Sequence, residues 1–109
     1  LVLTTGSLCA QEQKIITKED NNTFKVVYLN KDGNIMQQGF IKNNKLHGKW
    51  SSFNKIGIKI ISGQYEKGKK VGRWIFRNNG KIKEVEYSDN IIVDVVNWDT
   101  PVTLGTVND

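Results

Sequence analysis

A chain of 109 residues is long enough for one domain and too short for two. Its hydrophobic fraction of 38%, its ten glycines and its single proline favour many short strands joined by turns over a thick helical core. The net charge of +5 is unevenly distributed, because residues 39–84 carry 12 Lys and Arg against 2 acids, whereas residues 85–109 carry 5 acids and no base.

The first ten residues resemble the end of a secretory leader. Leu1-Val2-Leu3 is followed by small residues and then by Leu8-Cys9-Ala10 ahead of a polar stretch, a pattern that predicts cleavage after Ala10. We interpret residues 1–10 as the remnant of a signal peptide and expect a secreted, periplasmic or envelope-associated protein. The alternative is a frayed N-terminal strand of a cytoplasmic protein. Cleavage would remove the only cysteine, so neither disulfides nor thiol chemistry would contribute to the mature chain.

Residues 33–80 contain two copies of a repeat with a period of 24 residues. Four residues of the first copy recur in the second at this spacing: Gly33 and Gly57, Gly39 and Gly63, Gly48 and Gly72, Trp50 and Trp74. Such self-similarity indicates a stack of identical supersecondary units. We therefore predict repeats at 33–56 and 57–79.

A third, degenerate copy is predicted at 80–104. It begins at Gly80, and its Trp98 lies 24 residues after Trp74, although Val96-Asn97-Trp98 replaces the Gly-Lys/Arg-Trp element. Terminal repeats are often atypical because they cap the stack. Residues 11–32 are predicted to contain a capping half copy, and residues 106–109 form a tail.

Each copy is predicted to form two strands, because β-branched and aromatic runs alternate with turn residues. Turns between copies are expected at residues 30–33, 54–57 and 77–80, and turns within copies at 43–44, 67–68 and 88–90. Asn and Gly dominate these positions because they accept the positive φ of tight hairpins. The predicted fold is all-β, an elongated single-sheet antiparallel meander of stacked β-hairpin repeats.

The aromatic residues are predicted to form a ladder in the core. Gly48 and Gly72 stand two residues before Trp50 and Trp74, on the same strand face, where a missing side chain would leave room for a neighbouring ring. The predicted ladder consists of Phe40, Trp50, Phe53, Tyr65, Trp74 and Phe76. Phe53 follows its tryptophan by three residues and Phe76 by two, so the first copy must contain a bulge or bury both faces.

The repeat resembles the MORN (membrane occupation and recognition nexus) variant, in particular the bacterial YwqK-type antitoxin family. The likeness is carried by Lys45-Leu46-His47-Gly48-Lys49-Trp50 and Lys69-Lys70-Val71-Gly72-Arg73-Trp74, supported by Gly39, Gly63 and Tyr65. This resemblance implies an elongated, twisted sheet that serves as an interaction scaffold. The antitoxin family implies a protein that neutralises a toxic partner by direct binding.

The sequence shows no catalytic constellation. His47 is the only histidine and its counterpart is Val71, so we interpret it as a solvated surface residue. Glu84 is expected opposite Arg73 across the third between-copy turn and neutralised by it, as in an ordinary cross-strand pair. We therefore predict a protein that is not an enzyme and that uses no cofactor and no metal.

Basic residues interleaved with the aromatic residues define the candidate binding surface, with Lys49, Arg73, Arg77 and Lys81 as its predicted contacts. The leading hypothesis is a non-catalytic protein-binding module of the cell envelope or secreted space, antitoxin- or immunity-like. The alternative is peripheral binding to anionic lipid or acidic polymer through the same side chains. Nucleic acid is not expected, since exported proteins seldom meet it and a regular sheet separates rings from charges. The sequence leaves the identity of the protein partner and the oligomeric state open.

Overall fold

The computed structural model describes residues 13–99, and the side chains of residues 13–98. Its strands are β1 (Gln13–Lys18), β2 (Thr23–Leu29), β3 (Ile35–Lys42), β4 (Lys45–Leu46), β5 (Gly48–Phe53), β6 (Lys59–Glu66), β7 (Lys69–Asn78), β8 (Lys81–Ser88) and β9 (Ile91–Asp99). The leader interpretation of residues 1–10, the end of the third copy and the tail at 106–109 lie outside the described residues.

All nine strands belong to one antiparallel sheet in which strands adjacent in sequence are adjacent in space. The order is β1-β2-β3-β5-β6-β7-β8-β9, and the short β4 pairs with β3 beside β5. The sheet has extents of 55 × 33 × 21 Å and a radius of gyration of 17.3 Å, compared with about 13 Å for a compact domain of 100 residues. The predicted all-β, elongated meander is confirmed.

The turns within copies are two-residue hairpin loops, as predicted. Asn43 and Asn44, Lys67 and Gly68, and Asp89 and Asn90 all have positive φ, which matches the twist of the flanking strands. These loops lie along one edge of the sheet, which we call the tip edge.

The turns between copies lie along the opposite edge and are fixed by asparagine side chains. Asn30 Oδ1 accepts hydrogen bonds from the backbone N–H groups of Asp32 (2.9 Å) and Asn34 (3.0 Å). Asn54 Oδ1 accepts the equivalent pair from Ile56 and Ile58, both at 3.0 Å. The third turn of this edge has only two residues, Asn79 and Gly80, between the paired Asn78 and Lys81. The preceding turn of this edge has five residues, 54–58, between the paired Phe53 and Lys59, so the 24-residue spacing ends at this shorter turn.

Gly39 and Gly63 are the glycines that make room for the tryptophans. A Cβ atom at Gly39 would overlap with the ring of Trp50, and one at Gly63 would overlap with the ring of Trp74. Each tryptophan therefore lies flat across the backbone of the preceding strand. The prediction that Gly48 and Gly72 provide this space was wrong.

Gly48 and Gly72 are required for their backbone conformation instead. Their φ values are +88° and +71°, and a Cβ atom at Gly48 would approach nothing closer than Phe40 at 3.8 Å, while one at Gly72 would meet nothing within 4 Å. Both glycines lie where the pairing with the preceding strand changes register, as between Gln64–Val71 and Ser62–Ile75. A positive φ at this point allows the strand to absorb the extra residues of the bulge.

The different spacing of Phe53 and Phe76 places the two rings on different faces. Ser52 pairs with Ile61 and Phe53 with Lys59, so the bulge residue is Ile60 of β6, and β5 is continuous from Trp50 to Phe53. Phe53 therefore lies on the side opposite Trp50. Of the two predicted alternatives, the first copy has half-buried rings on both faces rather than a bulge within β5.

The third hairpin departs from the 24-residue period. Its loop at Asp89–Asn90 follows the loop at Lys67–Gly68 by 22 residues. Val95 pairs with Val85, which also lies opposite Trp74, so Val95 is the residue of β9 on the same side of the sheet as the tryptophan. Trp98 instead lies opposite Ile82 and is 53% exposed. Its 24-residue spacing from Trp74 therefore does not make it the structural equivalent of the other tryptophans.

The core of this single-layer sheet is small. Among the described residues the buried apolar side chains are Val26, Trp74 and Val85, accompanied by Ser51 and Ser52. Of the predicted ladder, Trp74 is buried at 2% exposure, and the other five aromatic side chains are half-buried. A sheet without a second layer buries its rings by laying them along its own surface.

The contact between Trp50 and Gly39 can be tested with a double-mutant cycle. Gly39→Ala should lower the free energy of unfolding by about 1–3 kcal/mol, because the new methyl group collides with the Trp50 ring. In a Trp50→Leu background the same substitution should cost much less, since the ring is absent. Urea unfolding of the four proteins measures both values, and an equal cost in the two backgrounds would contradict this packing.

Candidate functional site

The two faces of the sheet differ in chemistry. We call the face that carries Trp50, Tyr65, Trp74 and Tyr87 the aromatic face. The opposite face carries Lys49, Arg73, Arg77, Glu84 and Glu86, and we call it the charged face. The strand register assigns these faces, since residues paired across strands share a side and successive residues alternate.

The rings of the aromatic face contact one another in a continuous ladder. The centroids of Trp50 and Tyr65 are 5.9 Å apart, those of Tyr65 and Trp74 are 5.1 Å apart and those of Trp74 and Tyr87 are 6.1 Å apart, all edge to face. Phe76 stacks beside Trp74 at 6.3 Å. Trp74 Nε1 donates a hydrogen bond to the backbone oxygen of Gln64 at 3.1 Å, which satisfies the one polar group of the buried indole.

Lys70 covers the end of this ladder. Its Nζ atom lies 5.0 Å from the ring centroid of Trp74 and 5.1 Å from that of Tyr87, within cation–π range of both. Burial raises the pKa of the Tyr65 hydroxyl, and Tyr87 raises it further. The ladder is therefore a packed structural element, and its polar groups stabilise the packing.

An open groove of about 480 Å³ lies on the aromatic face beyond the ladder, between β7 and β9. Its apolar lining includes Phe76, Val85, Tyr87, Ile92 and Val95. Lys81 and Lys83 also line it, and no acidic side chain does among the residues that the structure describes. A groove of this size and composition is typical of a binding surface.

Strand β9, the last strand of the described sheet, exposes apolar side chains on both faces: Ile92 and Val95 lie beside the groove, whereas Ile91 and Val96 pair with Ser88 and Glu84 and lie on the charged face. Eleven large apolar side chains are exposed among the described residues, and six of them lie on this strand: Ile91, Ile92, Val93, Val95, Val96 and Trp98. A concentration of exposed apolar side chains is characteristic of an interaction site, whereas scattered ones are normal.

The four predicted basic contacts do not share one face. Lys49, Arg73 and Arg77 lie on the charged face, where Lys49 and Arg73 line a shallow depression of about 290 Å³ together with Lys59. Lys81 lies on the aromatic face, because it precedes Ile82, which pairs with Arg77. The structure therefore places three of the four on one face, where Lys49 and Arg73 line the same depression, and the fourth beside the apolar groove.

Arg73 is engaged within the protein. Its Nη1 atom lies 3.2 Å from Glu84 Oε1, and its Nη2 atom lies 3.6 Å from Glu86 Oε1. The register places Glu86 directly opposite Arg73 and Glu84 opposite Ile75, so the predicted Arg73–Glu84 pair forms diagonally. Glu86 also faces Asp94 on β9, and Arg73 offsets the repulsion between these like charges.

Sequence reasoning missed the groove and the exposed β9. A signal was present, since Ile91-Ile92-Val93-Asp94-Val95-Val96 is apolar at both alternating positions, which a half-solvated strand does not require. The location of the groove could not be predicted in the same way, because it depends on how β8 and β9 pair after the short turn between β7 and β8.

Within residues 13–98, no group of three or more His, Cys, Asp or Glu side chains is arranged to hold a metal ion. The described residues also contain no helix long and apolar enough to cross a membrane. Compared with known proteins, the sequence matches no family model, and no curated protein matches it either.

The burial of Tyr65 predicts a pH dependence of stability. Its pKa is raised in the folded state, so the unfolded chain ionises first and stability falls as the pH rises through about 10. Tyr65→Phe should therefore lose less stability than the parent between about pH 9 and about pH 11. Urea unfolding at the two pH values gives this difference, and an identical loss in both proteins would contradict the assignment.

Proposed function

We propose that this chain is a non-catalytic protein-binding module whose contact surface is the groove of the aromatic face together with β9. The observation that carries the proposal is the concentration of six exposed apolar side chains on this one strand, beside a groove lined by further apolar side chains. The same residues offer no nucleophile or base, and their chemistry suits burial against another protein.

The energetics favour this surface over the charged face. Complete burial of a fully exposed Ile or Val side chain contributes about 1.5–3 kcal/mol. Ile92 and Val95 are 55% and 45% exposed, so several side chains of this surface must be buried together to reach a micromolar affinity. On the charged face, a partner would have to compete with Glu84 and Glu86 for Arg73. Lys81 and Lys83 at the groove would then select a partner whose apolar segment carries an acidic residue.

The resemblance to MORN-repeat and YwqK-type antitoxin proteins belongs to this proposal. The two regular copies, the hairpin stack and the leader-like start support a scaffold of the cell envelope or secreted space with one dedicated partner. In an antitoxin or immunity protein that partner is a toxin, bound one to one. Tight binding of a single protein is the property that distinguishes this role from a general scaffold.

Peripheral binding to anionic lipid or acidic polymer is the second candidate. The observation in its favour is the depression on the charged face where Lys49, Lys59 and Arg73 meet. Such binding would be electrostatic and would weaken steeply with salt, whereas an apolar interface would persist.

The two candidates can be separated by capture from an envelope extract with the tagged chain as bait. Ile92→Thr with Val95→Thr removes apolar groups from the groove while keeping β-branched, exposed residues. Lys49→Gln with Arg77→Gln is the matched double substitution on the charged face. We expect one salt-resistant protein, and at least ~tenfold weaker binding of that purified protein by the groove variant but not by the charged-face variant.

The opposite pattern would contradict the proposal. If the charged-face variant loses the partner and the groove variant retains it, the apolar surface is not the contact. Capture of lipid or polymer alone, released by salt, would favour the second candidate.

A further inference from the structure

A second cavity lies on the tip edge, between the hairpin loops of the first and second repeats. It has a volume of about 380 Å³ and is lined by Lys42, Asn43, Lys45, His47 and Lys67. Three of these five side chains are cationic, and no acidic side chain lines the cavity among the described residues. This site is separate from the groove of the aromatic face and goes beyond the proposed function.

Backbone hydrogen bonds fix the two loops that form the cavity. The N–H of Gly68 donates to the oxygen of Leu46 at 2.8 Å, which joins the second loop to the first hairpin. Lys45 packs across the second loop, since a Cβ atom at Gly68 would lie 3.8 Å from Lys45 Cβ. The lysines therefore extend from rigid two-residue turns whose separation is set by the sheet.

His47 is held in place by hydrogen bonds on both sides. Its backbone N–H donates to Phe40 O at 2.9 Å, and its Nδ1 atom accepts a 3.4 Å hydrogen bond from the N–H of Lys67. Because Nδ1 is the acceptor, this geometry assigns the ring hydrogen to Nε2. The ring thus contributes a hydrogen-bond donor to a cavity that already contains three ammonium groups.

The next gap along the same edge has the same construction but a mixed charge. There the N–H of Asn90 donates to Lys70 O at 2.9 Å, and the N–H of Lys70 donates to Asn90 Oδ1 at 2.8 Å. The positions equivalent to the five lining residues of the first gap are occupied by Glu66, Lys67, Lys69, Val71 and Asp89. The first gap therefore carries three positive charges, whereas the second carries two positive and two negative charges.

This comparison shows that the repeat does not require the basic cavity. The same turns form with acids at two of the five positions, so the lysines are not needed for the hairpin geometry. Three like charges in one cavity repel one another. Asp20 contributes a negative charge nearby, since the hydrogen bond from Asn22 and, to a smaller extent, the charge of Lys42 lower the pKa of its carboxyl. The Asp20 carboxylate is itself used in the adjacent turn, where its Oδ1 accepts from the N–H groups of Asn22 (3.1 Å) and Thr23 (3.0 Å).

We propose that the tip cavity binds a phosphate or sulfate group. Such an oxyanion carries several acceptor oxygens and up to two negative charges, which match the ammonium groups of Lys42, Lys45 and Lys67 and the Nε2 donor of His47. Binding relieves the repulsion between the lysines. A single carboxylate offers fewer acceptors and less charge, so it fits the site less well.

The second gap provides the residues for a test variant of the first gap. Lys42→Glu, His47→Val and Lys67→Asp place in the first gap the two acids and the valine of the second, and Asp89 shows that Asp is accepted at the positive φ of the loop position. Pyrophosphate is titrated at low salt and followed by calorimetry and by the ring proton signals of His47, the only histidine of the chain. The parent should bind saturably with shifted His47 signals, and the variant should bind at least ~tenfold more weakly by calorimetry.

A matched control separates a local site from general charge attraction. Lys31→Glu with Lys55→Asp causes the same change in net charge on the opposite edge of the sheet, in the loops between copies. This variant should bind pyrophosphate within about threefold of the parent. Equal weakening in both variants, or no His47 shift in the parent, would overturn the proposal.

Two sources of the bound group remain to be distinguished within the same experiment. Vesicles of phosphatidylcholine with and without phosphatidic acid are added to the parent protein. If the protein co-sediments with the phosphatidic acid vesicles and excess pyrophosphate releases it, a lipid headgroup is a ligand of the cavity. Pyrophosphate binding without co-sedimentation supports a soluble phosphate or sulfate ester, and co-sedimentation that pyrophosphate does not reverse would contradict binding at this cavity.

Discussion

The close approach of the Trp74 ring to the backbone of Gly63 is the contact on which the rest of the sheet depends. A single antiparallel sheet has no second layer to cover it, so its apolar side chains are buried only where they lie along neighbouring strands. A glycine in the adjacent strand lets an indole lie flat, and Trp74 becomes one of the most buried side chains of the described protein. Tyr65, Phe76 and Tyr87 then pack around this ring.

The proposed binding surface lies where this packing of a tryptophan ring on a glycine of the neighbouring strand ends. Trp50 lies over Gly39 and Trp74 over Gly63, but the third hairpin presents Val85 where a glycine would be needed. No ring covers β8 and β9 in the same way, so Ile92 and Val95 remain exposed beside the last rings of the ladder. The degeneration of the third copy thus exchanges a stabilising contact for an accessible apolar groove.

The charged residues also change from one repeat to the next along the sheet. The regular copies tolerate different residues at their loops, which allows the first gap of the tip edge to be cationic and the second to be mixed. On the charged face, Arg73 of the second copy holds Glu84 and Glu86 of the third. A repeat scaffold can therefore carry an apolar groove and a cationic cavity in different places without altering its backbone.

Local features of this fold were predictable from the sequence, whereas features set by pairing between strands were not. The turn positions were correct because Asn and Gly determine them within four residues. The role of Gly48 was misassigned because its positive φ arises from a register change that no spacing within one strand reveals. The interpretation of Trp98 failed for a similar reason, since the turn between β7 and β8 is two residues shorter across the ladder than the turn between β5 and β6, so the 24-residue spacing no longer marks equivalent positions. The tip cavity and the groove combine residues from different strands and hairpins. Their charged residues could be counted from the sequence, but which of them lie together could not be predicted.

The central claim is that the ladder around Trp74 stabilises the sheet while the tryptophan on β9 does not. The most direct measurement compares the free energy of unfolding of Trp74→Ala with that of Trp98→Ala. Loss of the buried ring should cost about 3–5 kcal/mol, enough to unfold much of the protein. Loss of the exposed ring should cost less than about 1 kcal/mol. Equal losses in the two variants, or a larger loss for Trp98→Ala, would contradict this account of the fold and of the surface proposed to bind a partner.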